Sequence, residues 1–137
     1  MRLALLRNLL LLDAAILLLL GLFLIFAPRH VAAAFHFHDL PTGVNYIIGL
    51  WGCVFVTMAA GYFVAASNPI RHIIWVQIGI ARGAIECLLG LVYLIQGVVT
   101  FSQAGVGIIV AALISIAYVA LYPRVAQAAP PAATSSP

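Results

Sequence analysis

Long apolar runs separated by short polar breaks set the elements of this chain. The first run extends from about Leu3 to Ala27 and stops at Pro28-Arg29. Proline cannot donate the amide that extends a helix, and it restrains the residue before it. The second run goes from about Asn45 to Ala66, and Ser67-Asn68-Pro69 turns the chain sharply. A third spans Ile70 to Gln96, where Gly97 begins its exit, and a fourth spans Ala104 to Tyr122 ahead of Pro123. Each approaches or exceeds the roughly 20 residues an α-helix needs to cross a bilayer. The longest loop, His30 to Gly43, carries the turn formers Asp39, Pro41, Thr42 and Gly43. Residues 124–137 are rich in Ala, Pro and Ser and are too polar for a core, so they are predicted to be a disordered tail. The expected architecture is all-α: a polytopic membrane protein whose residues 1–123 form an antiparallel bundle of four transmembrane helices, 3–27, 45–66, 70–96 and 104–122.

Composition sharpens this picture. Apolar residues make up 66% of the 137, charged residues 7%, and mean hydropathy is +1.21. A soluble domain carries about 25% charged residues, so both a soluble fold and a disordered chain are excluded. The net charge is +3, but all six basic residues are scattered arginines, which form no patch to track phosphates and imply no nucleic-acid partner. They report threading instead. Four passes put Arg2, Arg7, Arg71 and Arg124 on one side and Arg29 on the other, and basic residues accumulate on the cytoplasmic side. Both termini and the Ser67–Arg71 turn are therefore predicted to be cytoplasmic, the histidine-bearing loop outside. The start also has the look of a secretory signal, with Arg2, Arg7, a leucine-rich core and Val31-Ala32-Ala33-Ala34. Its apolar run exceeds the roughly 7–15 residues of a signal core and contains Asp13, so a retained helix is expected. Trp51, Trp75, Tyr46 and Tyr122 suit either the interfaces or the spaces between helices.

Asp13, Arg82 and Glu86 remain inside the runs. A charge at the bilayer centre costs about 2.5–3.5 kcal/mol on insertion scales, and such residues turn inward and pair. Asp13 lies 15 residues before Pro28, and Arg82 lies 15 before Gly97. Both sit roughly 22 Å from the same surface, the equal depth that a cross-bundle ion pair requires. Glu86, four positions on, shares the Arg82 face, and a guanidinium has donors enough for both carboxylates. Trp75, Gly79 and Tyr93 fall on that face too. Together Asp13, Arg82, Glu86, Tyr93 and Trp75 form an expected buried polar cluster. Thr57, Ser115 and Tyr118 reach similar depth and are candidate hydrogen-bond partners. The cluster reads either as a register-fixing staple or as a proton, ion or ligand site. Two acids against one Arg leave a surplus negative charge, which makes Glu86 the candidate to hold a proton. Small residues predict close packing: Gly79 and Gly83; Asn45, Gly49, Gly52, Ala59 and Ala60; and Gly105, Ala111, Ala112 and Ser115.

His30, His36 and His38 with Asp39 have the ligand types of a metal site, although the spacing is as well explained by solvated loop histidines. His72 lies on the opposite side of the membrane, and no helix interior contains a histidine to bind haem. Cys53 and Cys87 are expected to pack as small hydrophobes at similar depth. No nucleophile–base pair, phosphate-cradling loop or nucleotide motif occurs, so neither an enzyme nor a cofactor is expected.

The helix-ending Pro28, the run Asn45-Tyr46-Ile47-Ile48-Gly49-Leu50-Trp51-Gly52 and Gly79-Ile80-Ala81-Arg82-Gly83 resemble small bacterial membrane proteins of the DoxX-like and BphX-like kind. The resemblance covers residues 1–123 as a pattern and implies an inner-membrane bundle; some members are linked with respiratory or redox systems. The leading expectation is a non-enzymatic accessory subunit or partner-binding bundle, joined to another membrane protein or to a second copy. The alternatives are a small proton-coupled transporter and a quinone- or haem-handling membrane anchor.

Overall fold

In the computed structural model, residues 2–37, 41 and 43–123 are described. Five helices are present among them: α1 (Arg2–Phe26), α2 (Pro28–Ala34), α3 (Val44–Ser67), α4 (Ile73–Ile95) and α5 (Phe101–Leu121). Four of these, α1, α3, α4 and α5, are long and apolar enough to span a membrane, as the hydropathy pattern requires. His38, Asp39, Thr42 and the predicted tail 124–137, including Arg124, lie outside the described residues.

Three boundaries differ from the sequence reading. Residues 28–34, assigned to the first helix end and the long loop, form the short helix α2. Pro28 ends α1 but occupies the first turn of α2, where its missing N–H and fixed φ cost nothing. The α2 end is a Schellman turn: His36 adopts φ 60°, its N–H donates to Ala33 O at 3.0 Å, and Phe37 N–H donates to Ala32 O at 2.9 Å. At its start α4 is shorter than predicted, because Asn68–His72 form a turn in which Asn68 Oδ1 accepts the Arg71 N–H at 3.1 Å. Helix α5 begins three residues earlier than predicted, at a capping box where Thr100 and Gln103 satisfy each other's backbone amides.

The helices assemble as two close pairs. α1 packs along α3 and α4 along α5, with far sparser contact between the pairs. Glycine makes each pair possible. Gly21 and Gly52 bring α1 and α3 together so closely that a Cβ on Gly52 would lie 2.6 Å from the Gly21 carbonyl oxygen. A Cβ on Gly83 would lie 2.7 Å from Ala111 O across the α4–α5 seam. Van der Waals packing of this kind holds helices together where lipid removes the hydrophobic drive. The predicted α3 seam is corrected in part: Gly49 faces open space and Ala60 is exposed, while Gly52 and Ala59 are buried. The reason is azimuth, since Gly49 and Ala60 lie roughly 60° and 80° round the helix from Gly52, to one side of the line that meets α1.

The two pairs share one core. It contains Leu6, Leu10, Ala14 and Leu17 of α1, Ala59, Tyr62, Ala65 and Ala66 of α3, Val76 of α4 and Tyr118 of α5. Most of these lie in the half of the bundle where α1 starts and α5 stops, here called the termini end. At the other end, the α2 end, Gln103 Nε2 of α5 donates to the His36 carbonyl at 3.2 Å.

Candidate functional site

Asp13 and Arg82 meet at mid-span. Each stands 13 residues from the α2 end of its helix, roughly 20 Å by the helical rise. Arg82 Nη2 donates to both carboxylate oxygens of Asp13, at 2.9 and 3.0 Å. The Asp13 side chain is 1% exposed and that of Arg82 13%. A buried carboxylate is costly unless its lone pairs are engaged, and the Tyr118 hydroxyl supplies a further donor to Asp13 Oδ2 at 3.0 Å. The pair therefore joins α1 to α4, and Tyr118 adds α5.

Helix α3 contributes an aromatic that sequence reasoning missed. Arg82 Cζ lies 5.7 Å from the centroid of the Tyr62 ring, within cation–π range. Tyr62 also meets Trp75 edge-on at 5.8 Å and Tyr118 at 6.2 Å. Gly61 leaves room for the Trp75 ring, which presses against it too closely for any Cβ. An aromatic one turn from a helix end carries no signal of its own; only the crossing of α3 with α4 places it over the guanidinium.

Among the described residues neither Tyr62 Oη nor Arg82 Nε, both buried, has a hydrogen-bond partner. The two tyrosines thus make opposite predictions. Tyr118→Phe should lower stability by about 1–3 kcal/mol, because Asp13 loses a charged hydrogen bond. Tyr62→Phe removes a buried hydroxyl that bonds nothing, so it should leave stability unchanged or raised. Thermal midpoints in one detergent check the order; a larger loss for Tyr62→Phe would contradict this geometry.

The remaining predicted members are placed differently. Glu86 is not buried: its side chain is 44% exposed, with Oε1 3.9 Å from Arg82 Nη1, an ion pair but not a hydrogen bond. Tyr93 is 43% exposed and stands apart from the pair near the α2 end of α4. Both lie on the predicted face of α4, but no neighbouring helix among the described residues covers them. Trp75 is half-buried against Tyr62. Ser115 donates to Ile80 O at 3.0 Å, and Thr57 is exposed and donates to Val54 O within its own helix, so neither reaches the pair. Gln77 Nε2 donates to Tyr122 Oη at 2.8 Å, a tie between α4 and the end of α5.

No family model, curated protein or solved structure matches this chain. Among the described residues no group of three His, Cys, Asp or Glu side chains stands close enough to hold a metal ion. His30 and His36 are exposed, His36 is committed to the α2 Schellman turn, and His38 lies outside the described residues. Both cysteines are free. Cys87 is half-buried, but Cys53 is exposed rather than packed in the core, because it comes directly after Gly52, which faces α1. What the site offers is a neutralised, hydrogen-bonded ion pair and beside it a half-exposed carboxylate at mid-span.

Proposed function

We propose that this integral membrane protein is a non-enzymatic accessory subunit that binds a partner within the bilayer. One observation carries the reading. Asp13, Arg82 and Glu86 sum to a charge of −1 at mid-span, and the uncompensated acid, Glu86, is the one whose side chain is 44% exposed. A charge at that depth is costly and calls for a counterpart. The resemblance to the DoxX-like and BphX-like proteins supports placing it in a bacterial inner membrane, and the arginine distribution supports both termini in the cytoplasm. Isolation in mild detergent and then native mass spectrometry should return a stoichiometric complex. A bare monomer with its own turnover would refute the reading.

Threading is tested separately. Reporter tags at residues 1 and 137 should both register cytoplasm, and a label placed in 35–40 should register the outside. N-terminal sequencing should find the chain intact; a chain starting near Phe35 would mean a cleaved signal.

The face of α4 that carries Arg82, Glu86, Tyr93 and Trp75 supports a second reading, a quinone-handling anchor, because the exposed Tyr93 hydroxyl can donate to a quinone carbonyl. Quinone in a lipid extract of the purified protein, lost in Tyr93→Phe, would establish it. Proton-coupled transport is the third reading, and vesicle uptake abolished by Asp13→Asn would establish that one.

A further inference from the structure

The exposure of two facing stripes changes along the bundle. At 100° per residue, Trp75, Arg82, Glu86 and Tyr93 fall within about 40° of one another on α4. Glycines of α4 that meet α5, Gly79, Gly83 and Gly90, begin about 20° beyond Glu86. Glu86 therefore lies on the arc between the surface that meets Tyr62 and the surface that meets α5, the arc facing the bundle interior. On α3 the corresponding stripe is Tyr62, Phe55 and Trp51, also within about 40°.

Both stripes start buried and end exposed. Tyr62 is fully buried and Trp75 and Phe55 are half-buried, whereas Glu86, Tyr93 and Trp51, at 62% exposure, are open. Interior-facing side chains can be this exposed only where their opposite numbers are distant. α3 and α4 meet near the Asn68–His72 turn, where Gly61 and Tyr62 touch Trp75, and toward the α2 end the two stripes are left uncovered, an open slot between them. Glu86 stands nine residues below Ile95, so it lies about 13 Å below the mouth of that slot.

We propose that this slot receives a transmembrane helix of a partner protein carrying a lysine or arginine at the depth of Glu86. The proposal rests on the partner-binding reading and names the partner's chemistry. Charge complementarity selects it. Apolar walls alone select nothing, because lipid covers them as well as protein does. Glu86 does discriminate, since its carboxylate needs a cation held some 13 Å below the helix end. A second copy of this chain fails the requirement: it brings the same −1, and its Arg82 is already bound to Asp13. Helix α5 ends at the termini end, away from the slot. Lipid headgroup cations remain near the surface. The mid-span carboxylate calls for a cation held at its own depth, and a side chain on a packed helix supplies one.

The test uses the intact protein in lipid vesicles with synthetic leucine-rich transmembrane peptides. Each carries one variable residue about 13 Å from the end matching α2, and energy transfer between dyes reports association. The lysine peptide should bind at least tenfold more tightly than the leucine peptide, and the glutamate peptide more weakly than either. Glu86→Gln should abolish the lysine preference, and Glu86→Asp should keep most of it. Equal binding of lysine and leucine peptides by the unaltered protein would overturn the proposal without relying on any variant. So would Glu86-dependent binding of tetraphenylphosphonium with no binding of the lysine peptide, which would make the occupant a small lipophilic cation. A native complex that keeps its partner after Glu86→Gln overturns the slot assignment and leaves the partner-binding reading standing. A lysine-peptide preference in a protein that purifies as a bare monomer with its own turnover upholds the slot and overturns the accessory-subunit reading.

Discussion

Arg82→Ala is expected to cost about 3–5 kcal/mol, the usual penalty for removing one partner of a buried ion pair. The reason is visible at Asp13. Its carboxylate is 1% exposed and would keep only the Tyr118 hydroxyl as a donor, at 3.0 Å. Glu86, at 3.9 Å from the same guanidinium, would lose its only ion-pair partner among the described residues. Because the pair ties α1 to α4, its loss also unfastens the two helix pairs where they share their core. Accumulation in the membrane should fall sharply, and the thermal midpoint of whatever remains should drop. Asp13→Asn should be milder: its amide oxygen still accepts from Arg82 or Tyr118, and Glu86 remains to accept from Arg82. The combined change Asp13→Leu, Arg82→Leu and Glu86→Gln separates structure from chemistry. If it folds and still binds its partner, the cluster is a staple only; if it folds and does not, the charges recognise the partner. A silent Arg82→Ala would mean that the guanidinium reaches water or another subunit and that the mid-span pairing is wrong.

Gly52→Val should be comparably damaging for a different reason. A Cβ at Gly52 falls 2.6 Å from Gly21 O, 2.8 Å from Ile25 Cγ1 and 3.0 Å from Leu24 Cβ. The first of these is backbone and cannot rotate away. The helices must separate, and dispersion contacts along the whole α1–α3 seam weaken steeply with distance. Gly52→Ala should cost about 1–3 kcal/mol, the ordinary range for overpacking, and Gly52→Val should cost more because its branches add to the same clash. Gly49→Ala is the control, three residues away on the same helix with nothing within 4 Å of its added Cβ. It should be neutral or slightly stabilising, since alanine is the better helix former. Denaturation midpoints in mixed micelles measure all three. Equal losses at Gly49 and Gly52 would mean that helix propensity, rather than the seam, sets the effect.

Run length and helical rise were enough to place the four spanning helices and to pair Asp13 with Arg82. Both come from quantities that accumulate along the chain: apolar length fixes whether a segment can cross lipid, and the 1.5 Å rise converts position into depth. Charges of opposite sign at one depth then have few alternatives to meeting. The Gly79–Gly83 seam was legible for a related reason, because a spacing of four stacks two residues on one face. Tertiary structure alone decided the rest. Helical periodicity says which side chains share a face, but not how far away the neighbouring helix is. Glu86, Tyr93 and Arg82 share a face, yet only Arg82 is enclosed, because Tyr62 of α3 and Asp13 of α1 close over it and no such neighbour covers the other two. Gly21 carried no motif until α1 crossed α3 at Gly52. Tyr62 became part of the site only when α4 laid Arg82 across its ring. Pro28 marked a boundary in the sequence, but proline both ends one helix and starts another, and the folding of residues 29–34 into α2 decided between them. Depth is a property of one helix and can be read from its residues; azimuthal contact belongs to two helices at once and exists only after they pack.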